Sequence, residues 1–212
     1  MYLDCYRASI IILAIRGFFL LHGFFRKMNF KVFIVLLVVS CCVVAPISEA
    51  ESSLNTVTMD DDIRREPWLT YQKLLTLEKT FSTMDIEQQL WWLLHKAQSE
   101  HLLYFFNKFK KTVVQAQQLV GQETSIEITS RLNVYAGITA RLNVEYAKSE
   151  HYLTKALRQA SEKNLNQLYV QGKLELAYTH GLNELFETSL IDLQEAYVQA
   201  FALEDHFLVA AI

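Results

Sequence analysis

Two stretches decide the fold: residues 142–168, LNVEYAKSEHYLTKALRQASEKNLNQL, and residues 182–208, LNELFETSLIDLQEAYVQAFALEDHFL. Laid over each other at a shift of 40, they share Leu142/Leu182, Asn143/Asn183, Ser149/Ser189, Leu153/Leu193, Ala156/Ala196, Gln159/Gln199, Ala160/Ala200 and Leu168/Leu208. Eight identities in 27 positions far exceed the ~6% that average composition supplies. Leu153, Ala156 and Ala160 recur at helical spacing, so they line one buried stripe, as do Leu193, Ala196 and Ala200. Alanine lets helices approach closely, and leucine fills the space between them.

The rest of the chain agrees with a helical repeat. Pro67 is the last proline, and only Gly121, Gly137, Gly172 and Gly181 follow it. No run alternates long enough for a sheet. The spacing predicts helices over 68–81, from an N-cap at Asp85 with Gln88 completing a capping box, then over 100–120, 125–142, 145–162, 165–180, 184–203 and 205 to the end. These connect as antiparallel hairpins. The first hairpin matches weakly, Gln115-Ala116 against Gln159-Ala160 at a shift of 44. Of Trp91 and Trp92, one is expected in the core and the other half exposed. The expected class is all-α, with helical-hairpin repeats forming an α-solenoid over 67–212 behind an N-terminal hydrophobic signal segment.

The front of the chain reads as an address. Met28, Asn29 and Lys31 form a short positive start, Val32 to Ala45 is apolar, and Ser48-Glu49-Ala50 places small residues before Glu51. That is the layout of an export signal cleaved between Ala50 and Glu51. Residues 1–27 then form an upstream hydrophobic extension; the rival reading, a membrane helix over 8–25, has Arg16 near its middle. Val38-Val39-Ser40-Cys41 has the residue types of a lipoprotein box, a second rival. Residues 51–66, with Asp60-Asp61-Asp62, read as a flexible lead-in. Export places the body in the periplasm, and attachment to the membrane runs through the N-terminal segment or a helix downstream of residue 212.

All three cysteines, Cys5, Cys41 and Cys42, precede this body, which suits an oxidising compartment. After residue 50 there are 15 Lys/Arg against 21 Asp/Glu, a net −6. A mildly acidic body with only Lys108, Lys110 and Lys111 clustered excludes a nucleic-acid surface. His95, His101, His151 and His180 show no metal-ligand spacing, and no HExxH, GxSxG or P-loop run occurs. No catalytic residue, cofactor or metal is expected.

Leu174-Glu175-Leu176-Ala177-Tyr178, the turn at Gly181, and then Ser189, Leu193 and Ala196 resemble a tetratricopeptide repeat, with a unit longer than the usual ~34 residues and no closing proline. Leu132-Asn133-Val134-Tyr135-Ala136-Gly137, Glu175-Leu176-Ala177-Tyr178 and Leu193-Gln194-Glu195-Ala196-Tyr197-Val198 resemble the exported repeat region of gammaproteobacterial sensors that continue into a GGDEF domain. The resemblance implies a periplasmic sensory module of a diguanylate cyclase, homodimerising through a downstream domain. The 212 residues hold no GGDEF run themselves. The apolar end Phe207 to Ile212 has no capping helix, which reads as a truncated array. The alternative is a stand-alone exported or lipid-anchored adaptor. In either case a peptide or protein is expected in the groove, with Asn133, Gln171 and Tyr178 as candidate groove residues.

Overall fold

A computed structural model describes residues 56–212, with side chains from Met59 onward. The signal segment, its cleavage pair Ala50 and Glu51, and the rival membrane or lipoprotein readings all lie outside the described residues. No described helix is long and apolar enough to cross a membrane.

The described chain is all-helical. Helices α1 (Thr56–Arg65) and α2 (Pro67–Leu77) lead, followed by a 3-10 segment (Glu78–Thr83). Then come α3 (Ile86–Leu102), α4 (Phe106–Leu119), α5 (Ile126–Leu142), α6 (Tyr146–Glu162), α7 (Asn166–Leu182), α8 (Phe186–Ala202) and α9 (His206–Ala211). Each helix from α3 packs against the next, as the short connections between them require. The expected start of α3 is present as read. Asp85 Oδ1 accepts from the Gln88 backbone at 2.8 Å, while Gln88 Oε1 accepts from the Asp85 backbone at 3.2 Å.

One boundary moves. Glu100 belongs to α3 and not to the following helix, because the chain turns at Tyr104. The turn is a Schellman motif that returns through the molecule. Its left-handed residue is Tyr104, then Val144, Asn164, Glu184 and Glu204, with φ between 55° and 64°. The backbone N–H one residue beyond bonds back five positions, as Glu145 does to Ala140 at 2.9 Å and Leu185 to His180 at 2.9 Å. Glycine is the usual occupant, and none sits at any of these five positions. Each side chain there costs roughly 1 kcal/mol, offset by the carbonyls that the motif satisfies.

The period of 40 extends further than the sequence alone suggests. α3, α5, α7 and α9 begin at 86, 126, 166 and 206, and α4, α6 and α8 at 106, 146 and 186. The match at a shift of 44 is therefore one helical turn out of register. Ala116 corresponds to Ala156 and Ala196, and Val113 to Leu153 and Leu193. The miss arises because α4 stops three residues early and a longer loop, Val120 to Ser125, restores the count.

Side-chain packing follows the repeat. Leu94, Val134 and Leu174 are buried at one position, and Ala97, Gly137 and Ala177 bring the helices together at another. Leu153, Ala156, Ala160, Ala196 and Ala200 are buried as expected, whereas Leu193 is only half-buried. Hairpins are also pinned by hydroxyls. Ser130 Oγ donates to the Ala156 carbonyl at 2.9 Å, Ser149 and Thr179 meet at 2.9 Å, and Ser189 Oγ donates to the Ala177 carbonyl at 2.8 Å.

The lead-in is not featureless. Thr56–Arg65 forms α1, which packs on α2 and α3, and Ile63 is wholly buried. Both tryptophans are buried too, contrary to the split expected. Trp92 donates to the Leu74 carbonyl at 3.0 Å and packs on Phe81, while Trp91 is covered by Arg131 from α5.

Candidate functional site

The first helices of successive hairpins touch one another, α3 with α5 and α5 with α7. Their shared face departs from the apolar pattern of the core. At one repeat position stand Trp91, Arg131 and Gln171; at the next, His95, Tyr135 and Glu175; at a third, Gln98, Ile138 and Tyr178. Apart from Ile138, these positions hold polar, charged or aromatic side chains every 40 residues, where the core pattern asks for apolar ones.

The geometry divides the row into two clusters. In the first, the Arg131 guanidinium lies 5.3 Å from the Trp91 ring centroid, and Trp91 stacks on His95 at 5.6 Å. Asp60 of α1 enters this cluster, with a carboxylate oxygen 2.8 Å from Arg131 Nη1 and another 3.5 Å from His95 Nε2. Burial pushes the Asp60 carboxyl up, but His95 and Arg131 outweigh it and hold the pKa below the ordinary 3.8. Burial also raises the Tyr135 hydroxyl far above its ordinary value, against the opposing pull of Arg131. Among the described residues, His95 Nδ1, Arg131 Nε and Tyr135 Oη are buried without a hydrogen-bond partner, and His95 Nε2 has only the long 3.5 Å approach of Asp60.

In the second cluster, Arg141 pairs with Glu175, and its guanidinium lies 5.4 Å from the Tyr178 ring centroid. The Tyr178 hydroxyl donates to the Ala211 carbonyl at 3.0 Å, tying α7 to α9. His101 lies near this pair. Burial lowers its pKa below 6.5, Glu175 opposes that and Arg141 adds to it.

The three expected groove residues fare differently. Tyr178 sits in the second cluster, and Gln171 is half-buried at the repeat position of Trp91 and Arg131. Asn133 faces α6, where its Nδ2 donates to Gln159 Oε1 at 2.8 Å inside the hairpin. His95, Arg131, Tyr135, Arg141 and Glu175 were not among the expected site residues. The signal that finds them is the 40-residue alignment carried into the first helices, read for polar residues where the core pattern asks for apolar ones.

Another group of charges holds the α7–α8 hairpin. Lys173 Nζ lies 3.1 Å from Asp192 and 2.9 Å from Glu195, and His180 Nδ1 lies 2.7 Å from Asp192. Among the described residues, no group of three His, Cys, Asp or Glu is placed to hold a metal ion. No protein-family model matches this sequence, and no curated protein matches it significantly. The described residues form an all-helical chain of hairpins with a polar, aromatic face along its first helices.

Proposed function

We propose that the chain is a tetratricopeptide-like α-solenoid serving as a non-catalytic, exported sensory and protein-interaction module. In this proposal, which its resemblance to GGDEF-linked sensors supports, it is the front of a membrane-bound diguanylate cyclase in cyclic di-GMP signalling. A ligand on the first-helix face would alter how two copies associate.

One observation carries the interaction reading. Helix α8 exposes Leu190, Ile191, Val198 and Phe201, each at least 60% accessible. The same positions one repeat earlier are Glu150, His151, Arg158 and Ser161, also exposed although the next hairpin is in place. A further hairpin would therefore leave the α8 residues open, and an exposed apolar stripe of this kind marks a partner surface. The stripe suits a second copy. Leu190 and Val198 lie four residues either side of Gln194, and Ile191 and Tyr197 three either side. A twofold axis through Gln194 makes such a stripe complementary to itself. Helix α8 has Glu187, Asp192 and Glu195 but no Lys or Arg, which argues against an anionic lipid surface.

Light scattering on the full chain tests this. The wild type is expected to show twice the chain mass, and Leu190→Glu with Phe201→Glu should give a monomer with unchanged helicity. A monomeric wild type, or a dimer indifferent to both substitutions, would overturn it.

A further inference from the structure

Helix α1 is attached to the first-helix face by few contacts of defined chemistry. Asp60 reaches α3 and α5 through His95 and Arg131. Ile63, one turn later, is fully buried. Arg64 extends the other way, 2.9 Å from Asp205 at the N-cap of α9, with its guanidinium 5.5 Å from the Phe207 ring centroid. So one ten-residue helix touches the first helices of three hairpins, crossing the row. Asp61, Asp62 and Arg65 are exposed and contribute little. A helix of this length is marginal alone, so it is ordered by the face it covers.

The fit is incomplete. A permanent core element satisfies the buried polar groups beneath it. Here His95 Nδ1, Arg131 Nε and Tyr135 Oη have no partner among the described residues, and His95 Nε2 has only Asp60 at 3.5 Å, with His95 and Tyr135 at 0% and 1% accessibility. Each of these groups can donate a hydrogen bond, and they belong to the cluster that Asp60 enters.

We propose that α1 is an intramolecular ligand occupying the binding face, and that the external ligand is an acidic amphipathic helix with a carboxylate three residues before a branched aliphatic side chain. Such a helix would place its acid on Arg131 and His95, its aliphatic residue in the Ile63 position, and further acceptors on the unmet donors. Tethering gives α1 a high effective concentration, so an external helix binds in proportion to the fraction of time that α1 is released. Binding and release of α1 are then one event, and the freed segment reports occupancy toward the N-terminal end. This inference rests on the reading of the first-helix face as the ligand face; it does not depend on association through α8.

The test uses the full chain and a fluorescein-labelled peptide of residues 51–66, with fluorescence anisotropy and hydrogen exchange over 59–65. Asp60→Arg damages the occupant and spares the face, whereas Arg131→Asp damages the face. Both should speed exchange in 59–65. The peptide should bind Asp60→Arg at least about tenfold more tightly than wild type, and should not bind Arg131→Asp. The double variant Asp60→Arg with Arg131→Asp should restore slow exchange, which also guards against either single variant being misfolded. Equal binding to wild type and Asp60→Arg would overturn the proposal, as would no binding to an Asp60→Arg chain whose 59–65 segment exchanges freely. A chain mass that falls on Asp60→Arg alone would show that α1 comes from a second copy, and would overturn it too. Loss of the dimer on the α8 substitutions, with peptide binding intact, separates the two readings.

Discussion

Gly137→Ala is a small change with a sign fixed by one neighbour. Gly137 lies on α5 where α6 crosses closest. A Cβ there would stand 2.6 Å from Leu153 Cγ, 2.9 Å from Leu153 Cδ2 and 3.3 Å from the Ser149 carbonyl oxygen. Leu153 is wholly buried, so its branch point has nowhere to retreat. Overpacking of this kind costs about 1–3 kcal/mol, and alanine's better helix propensity returns about 1. The net expectation is a loss of about 0–2 kcal/mol. Leu153→Ala alone should cost about 2–5 kcal/mol through lost burial and a cavity. In that background the two closest atoms are gone, and Gly137→Ala should instead stabilise by about 1 kcal/mol through propensity and partial filling. The two sites should therefore couple by about 1–3 kcal/mol in a double-mutant cycle measured by urea unfolding. Costs that add to within about 0.5 kcal/mol would refute the α5–α6 register.

Val144 holds φ 64°, so Val144→Gly should raise stability by roughly 1 kcal/mol, read as a higher urea midpoint; a loss would mean the left-handed turn is not formed. Leu193→Ala should cost clearly less than Leu153→Ala, because Leu193 is half-buried and Leu153 is not accessible at all; equal costs in urea unfolding would contradict the packing. His101 has its pKa lowered by burial, so the unfolded chain binds its proton more readily. Stability should fall as pH drops below 6.5 and level off beneath the folded-state value. His101→Phe should flatten that part of the stability curve between about pH 5 and about pH 8, and an unchanged curve would contradict a half-buried ring that folding keeps neutral.

The hairpins were legible because Leu and Ala at inter-helix contacts are hard to replace, and the contacts recur with the period. The cap of α3 was legible because Asp85 and Gln88 satisfy each other locally. What failed to read had distant causes. Asp60 looks solvated beside Asp61 and Asp62, yet its partners His95 and Arg131 lie 35 and 71 residues away, where no local pattern reports them. The break after α3 was placed too early because Tyr104 takes the left-handed turn without the glycine that usually announces it. One of the two adjacent tryptophans was expected to be half exposed, but Trp91 gains a cover in Arg131, which arrives from the next repeat. Asn133 looked like a groove residue because a conspicuous polar side chain on a first helix can face either way, and here Gln159 claims it.

The account turns on whether the first-helix face carries the chain's own α1. Hydrogen exchange of the full wild-type chain, followed peptide by peptide, tests this most directly. The account predicts slow exchange over 59–65, lost on Arg131→Asp while the α5–α6 hairpin stays protected. Free exchange over 59–65 in the wild type would contradict it.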